Sequence, residues 1–284
     1  MRLLIFCLKV LSSLSFYLLM PLYYILFLIG YYLVGYRKKV VYNNIRNSFP
    51  EKTEDEIRRI QKGFYKHFFQ FLIEYIKLIK GDENFFKSNV DISGWEKIDK
   101  DISNGQHVVI AMGHHGNWEY AAIYLSKLLN STMTGIYKQI SNKDYERLIL
   151  ETRGKFGLKL FEMKMAPREI IKMRKFPAAH LFIMDQSPMR SQSDKWITFL
   201  NQDTLVYEGV EKISCMLEAK VYWLSMRKNK IGSYSIKLSN IIDDAKNIED
   251  GRIIEECYEN LERDIQSQPE TWLWSHKRWK HQRI

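Results

Sequence analysis

A chain of 284 residues has room for one large domain or two small ones, with an ample core. Its 43 Lys and Arg against 33 Asp and Glu give a formal charge of +10, which favours anionic partners: nucleic acid, phospholipid surfaces, phosphorylated substrates or acidic carrier proteins. Three widely spaced cysteines, Cys7, Cys215 and Cys257, exclude a disulfide framework and a cysteine-based zinc site and point to a reducing compartment; there, Asn130-Ser-Thr132 matches a glycosylation acceptor only by chance.

Residues 10–34 carry no charge, and such a run exceeds the ~20 residues that cross a bilayer as a helix. It is too long for a signal-peptide core and lacks a small-x-small cleavage site. Tyr31, Tyr32 and Tyr36 suit an interfacial belt, and Arg37, Lys38, Lys39 and Arg46 outweigh Arg2 and Lys9. The positive-inside rule then sets an anchor over residues 1–36 and a cytoplasmic domain over 37–284. Pro21 is the expected kink, or the point where the span divides into two interfacial pieces.

Thr53 and Glu56 read as a capping box opening a helix that runs to about Ile79 and stops at Gly81. Phe64, Tyr65, Phe68, Phe69, Phe71 and Tyr75 make this helix unusually aromatic, with a core face as the leading reading. His67 and Glu74 lie on it with no partner visible in the sequence.

The organising stretch is residues 107–119. Val108 to Met112 reads as a short buried strand, followed by a polar turn and a helix that Asn117 caps. Gly113 and Gly116 bracket His114 and His115 where special backbone angles are useful. Glu119, in the first helical turn, suits the helix dipole and is five residues from His114. That spacing allows the carboxylate to stand behind the imidazole and orient it as a general base. A solvated turn is the plain alternative. Neither HExxH nor a Cys/His cluster at ligand spacing is present, so no metal and no small cofactor is expected.

Further on, Met133–Tyr137 reads as a strand, Asn142–Gly154 as a helix, Arg168–Lys175 as a short basic helix and Ala178–Met184 as a strand ending at Asp185. Trp196–Leu200, Lys220–Met226 and Tyr234–Leu238 are strand candidates, and Ile253–Ile265 is a helix. The alternation implies an α/β fold, a central sheet flanked by helices. In such sheets functional groups gather at the carboxyl ends of strands, where His114 and Asp185 both fall. Residues 271–280 alternate aromatics with cations, which suits a membrane interface, single-stranded nucleic acid, or tryptophans closing the core edge.

These residues carry a resemblance. Residues 44–50, the Gly113–Glu119 box with its Gly-Asn-Trp, Tyr137 with Arg153 and Gly157, Asp185-Gln186, and Trp274-Ser-His-Lys-Arg-Trp279 come in the order found in late acyltransferases of lipid A biosynthesis. The chain resembles that family, the lauroyl and myristoyl transferases of Gram-negative inner membranes, within the lysophospholipid acyltransferase superfamily. Glycerophosphate acyltransferases carry Asp in the box and a later Phe-Pro-Glu-Gly-Thr-Arg block, which is absent here. Residues 198–204, Thr-Phe-Leu-Asn-Gln-Asp-Thr, depart from the Phe-Phe-Gly pattern of enterobacterial members, and acyl or acceptor contacts are expected there.

The resemblance implies a glycerolipid-acyltransferase-like fold behind an N-terminal membrane helix, in the bacterial inner membrane with the catalytic domain facing the cytoplasm. It implies transfer of an acyl chain from acyl carrier protein to a hydroxyl of a phosphorylated lipid A precursor, with no acyl-enzyme and no nucleic acid. His114 and Glu119 are then catalytic, and Asn117, Lys138, Arg153, Asp185 and Gln186 substrate-binding; Arg153 and the N–H groups of the turn are candidate oxyanion donors. Three other readings stand beside it. They are a superfamily member with another lipid acceptor, a membrane-tethered nucleic-acid-binding protein, and an inactive scaffold.

Overall fold

The computed structural model describes residues 2–283. Two apolar helices open the chain, α1 (Arg2–Ser13) and α2 (Phe16–Leu28), and a π-helical stretch, Ile29–Val34, extends the second. The break lies at Ser15, not at the expected Pro21. Ser15 is extended and its hydroxyl accepts from the Leu18 N–H, capping α2, while Pro21 continues inside that helix. Phe16–Val34 is long and apolar enough to cross a membrane by length and composition, with a mean hydropathy of 1.8. One face of it is nevertheless covered. Leu19, Tyr23 and Phe27, four residues apart, are buried, and Gly30 admits the Phe69 ring where a Cβ would collide with it. Tyr17, Leu18, Ile25, Leu28 and Leu33 on the other faces are exposed.

The remaining helices are α3 (Lys38–Ser48), α4 (Glu54–Leu78), α5 (Glu83–Asn89), α6 (Trp95–Ser103), α7 (Trp118–Leu128), α8 (Lys143–Gly154), α9 (Ala166–Lys172), α10 (Gly209–Leu217) and α11 (Arg252–Ser267). The strands are β1 (Val90–Ser93), β2 (Val108–Met112), β3 (Met133–Tyr137), β4 (Lys159–Glu162), β5 (Ala179–Ile183), β6 (Trp196–Phe199), β7 (Gln202–Leu205), β8 (Lys220–Lys230) and β9 (Ser233–Ile242). The capping box is present at Thr53 and Glu56, and α4 runs as its sequence implied.

Seven strands form one sheet in the order β1-β9-β8-β2-β5-β3-β4, and β6 and β7 form a separate hairpin. Pairing is parallel from β8 through β4, whereas β9 returns antiparallel on β8 and carries β1 alongside it. Every residue of β2 is buried, as expected of a central parallel strand covered on both faces. Its side chains divide by the two-residue period. Val109 and Ala111 join the core under α4, α10 and α11, while Val108, Ile110 and Met112 join the core under α5, α6 and α7. The buried face of α2 belongs to the first of these cores.

The tail folds in. Trp272, Trp274 and Arg278 are buried, with Arg278 donating to the Leu205 carbonyl and to the Tyr258 hydroxyl. Of the three readings of this segment, the tryptophans close the core edge. The divergent stretch 198–204 proves to be the tip of the β6–β7 hairpin. Phe199 and Leu200 are buried, Phe199 packs edge-on to Trp272, and Thr204 accepts from the Trp279 indole.

Candidate active site

β2 and β5 are adjacent and in register, Met112 beside Ile183, and the Met184 N–H donates to the Met112 carbonyl. The chain therefore leaves both strands side by side, which brings His114 to Asp185. The Asp185 carboxylate accepts from the His114 backbone N–H at 2.8 Å through Oδ2, and its Oδ1 lies 2.5 Å from His114 Nδ1. The Trp272 indole donates to Oδ2 at 2.7 Å. Burial opposes the charge on Asp185, but the His114 imidazole and these donors outweigh it and hold the carboxyl at about 2, below the usual range. With Nδ1–H committed to a carboxylate, Nε2 is left as the basic nitrogen. It faces the exposed Gln186, whose amide nitrogen lies 3.3 Å away. The His114 side chain is 15% exposed, against 2% for Asp185.

Glu119 does not stand behind His114. Both its oxygens are taken by Arg153, Nε to Oε2 at 2.8 Å and Nη2 to Oε1 at 2.5 Å, a bidentate pair from α8 onto α7. The helix begins at Trp118, and the Trp118 ring rather than the carboxylate packs edge-on to the imidazole, 4.9 Å between centroids. Five residues of spacing were compatible with the pair, but the register of β5 supplies a nearer carboxylate. Burial disfavours the Arg153 charge, yet Glu119 more than compensates and its guanidinium stays firmly protonated.

The other expected residues separate. Asn117 is fully buried; its Oδ1 accepts from the Tyr120 N–H as the helix cap and its Nδ2 donates to Glu74 at 2.7 Å, so it is spent on structure rather than on a substrate. Asp185 is likewise spent on His114. Gln186 and the exposed Lys138, just beyond β3, lie on the same carboxyl edge of the sheet. The turn's N–H groups are mostly engaged: His114 to Asp185, Gly116 to the Thr271 carbonyl, and Asn117 to the Met226 sulfur. Gly116 has φ +64, where a side chain is strained, and a Cβ there would meet Met226; Gly113 instead admits Leu261 at 2.5 Å.

Several residues with no role evident from the sequence also meet here. Trp272 supplies a donor to the dyad from the far end of the chain. His276 is half-buried; burial pushes its imidazole down to about 4, and its neutral Nε2 accepts from the Ser187 N–H beside Gln186. His115 is buried between the Met226 and Gln268 carbonyls and the Thr271 hydroxyl, a satisfied core histidine. Among the described residues no cluster of His, Cys, Asp and Glu could hold a metal ion.

A family model described as bacterial lipid A biosynthesis acyltransferase matches residues 4–281. The chain belongs to that family. The match takes in the apolar helices, the sheet and the tail, so the lipid A acyltransferase family accounts for the whole molecule. No curated protein matches the chain.

Proposed function

We propose that this lipid A acyltransferase moves a fatty acyl chain from an acyl carrier protein thioester to a hydroxyl of a phosphorylated lipid A precursor, by direct transfer. The observation that carries the reading is the His114–Asp185 pair at the carboxyl ends of β2 and β5, with Nε2 facing outward. His114 Nε2 takes the acceptor hydroxyl proton as that oxygen bonds to the thioester carbonyl carbon. The carbon–sulfur bond then breaks, and the departing thiolate recovers the proton from the imidazolium, so the enzyme ends unchanged. Asp185 keeps Nδ1 protonated and stabilises the transient cation. Gln186 occupies the position at Nε2 that the acceptor hydroxyl takes over.

Arg153 is the proposed electrophilic group. Glu119 uses Nε and Nη2, and no hydrogen bond to Nη1 is found among the described residues. That face is available for the oxyanion or for a phosphate. None of the cysteines has a histidine hydrogen-bonded to it among the described residues, which favours direct transfer over a thioester intermediate on the enzyme.

The exposed apolar faces of α1 and α2, followed by Arg37, Lys38 and Lys39, support seating in the bacterial inner membrane with the catalytic domain on the cytoplasmic side. The surplus of positive charge supports engagement of an acidic carrier protein and a phosphorylated lipid. The test is incubation of detergent-purified protein with acyl-loaded carrier protein and a tetra-acylated precursor, read by product mass. One added acyl mass that disappears in His114→Ala is the expected result. No added mass across several donor lengths, with folded protein, moves the acceptor to another bacterial lipid.

A further inference from the structure

The turn that carries His114 is gripped from α4 at two heights. Two turns apart on that helix, His67 Nε2 lies 3.2 Å from the Gly116 carbonyl and Glu74 Oε2 accepts from Asn117 Nδ2 at 2.7 Å. Glu74 is completely buried and accepts from four donors, the others being the Tyr234 hydroxyl at 2.8 Å, the Gly232 N–H at 2.9 Å and the Gln70 amide. Lys228 Nζ donates to Gln70 at 2.6 Å and lies 3.4 Å from His67 Nδ1, which fixes Nε2 of His67 as the donor to Gly116. A carboxylate with no water access and every acceptor site filled costs desolvation, and a helix–sheet contact at this place needs only apolar side chains.

We infer that Glu74 is a positioning residue for the turn that carries His114: by holding Asn117, which caps α7, it fixes the orientation in which the His114 ring meets Asp185, the strand register having brought the two together. This rests on His114 being the base. Asn117 has no freedom to adapt, because its Oδ1 is committed to the Tyr120 N–H and only Nδ2 can face Glu74. Glu74→Gln keeps the shape but turns one acceptor into a donor. Its NH2 then faces either Asn117 or the Gly232 N–H, both fixed donors, so either orientation leaves a buried clash. In the Glu74→Gln/Asn117→Asp double variant the polarity is reversed. The new amide donates one hydrogen to the new carboxylate, which still caps α7, and the other to the Tyr234 hydroxyl, which can accept as well as donate, while the amide oxygen faces Gly232 and Gln70.

The experiment compares wild type, Glu74→Gln and the double variant as full-length protein in detergent. It measures thermal midpoint, kcat, KM for the acyl carrier donor, and the rate at which diethyl pyrocarbonate carbethoxylates His114, located by peptide mass. The expected result is a drop in kcat of about tenfold or more in Glu74→Gln with KM little changed, faster His114 modification, and recovery of both in the double variant. Wild-type kcat and modification rate in Glu74→Gln would overturn the inference. So would a double variant that regains the thermal midpoint but neither kcat nor the modification rate. If wild type itself transfers no acyl chain to the lipid, the proposed reaction is what fails, and the modification rates alone decide the role of Glu74.

Discussion

Trp272 and Asp185 stand 87 residues apart in the chain, and the indole N–H of the first donates to Oδ2 of the second over 2.7 Å. The C-terminal segment thereby holds the His114–Asp185 pair: the same strip bonds the turn through Leu273 N–H to the His114 carbonyl. Replacing the indole by a ring without the donor, Trp272→Phe, leaves Oδ2 with the His114 N–H alone. The expected loss is about 1.5–3 kcal/mol of stability, the usual worth of a hydrogen bond to a charged group, with a fall in kcat. Denaturant unfolding and steady-state kinetics on the same preparation check it.

The charge of Asp185 also sets an acid limb. Its folded-state value of about 2 lies below the ordinary ~3.9, so its contribution to stability is complete above ~4 and fades as pH falls through that window. About 2–3 kcal/mol is at stake for a carboxylate this deeply buried. Thermal midpoints of wild type and Asp185→Asn should lie furthest apart near pH 5 and converge towards pH 2. A constant gap across that range would contradict the assignment.

Arg153 and Glu119 form a second charged pair, between α8 and α7. Arg153→Ala strands a nearly buried carboxylate, which costs about 3–5 kcal/mol. Arg153→Lys retains the charge without the fork, so it should recover much of the stability and little of the activity. Unfolding and kcat measured on both variants separate the two effects.

Seating of the apolar helices is testable by vesicle flotation. Leu18 and Leu33 are 65% and 80% exposed, so the double change to Glu leaves the core untouched. It should shift protein from the lipid fraction to the soluble one. Unchanged flotation would mean that these faces do not meet lipid.

Much of this was legible in the sequence because it is local. The β2–turn–α7 unit, its glycines, the Asn117 cap and the end of β5 at Asp185 all announce themselves within a dozen residues. Short strands at the sheet margin, β1 and β4, escaped because four residues carry too little periodicity. The partnership of His114 escaped for a different reason. Glu119 is near in sequence and Asp185 is near in space, and only the register of β5 against β2 decides between them. The same holds for Glu74, whose partners lie 43 and 160 residues away.

In the proposed mechanism Asp185, not Glu119, orients the base. The pH dependence of kcat/KM in Asp185→Asn and Glu119→Gln, measured side by side, separates the two. Asp185→Asn favours the wrong tautomer, and by analogy with other His–carboxylate pairs a loss of about 10³–10⁴-fold is expected. Glu119→Gln should lose less and keep the wild-type pH at which activity rises. A Glu119→Gln variant whose activity limb moves, beside an Asp185→Asn variant of near-normal rate, would contradict it.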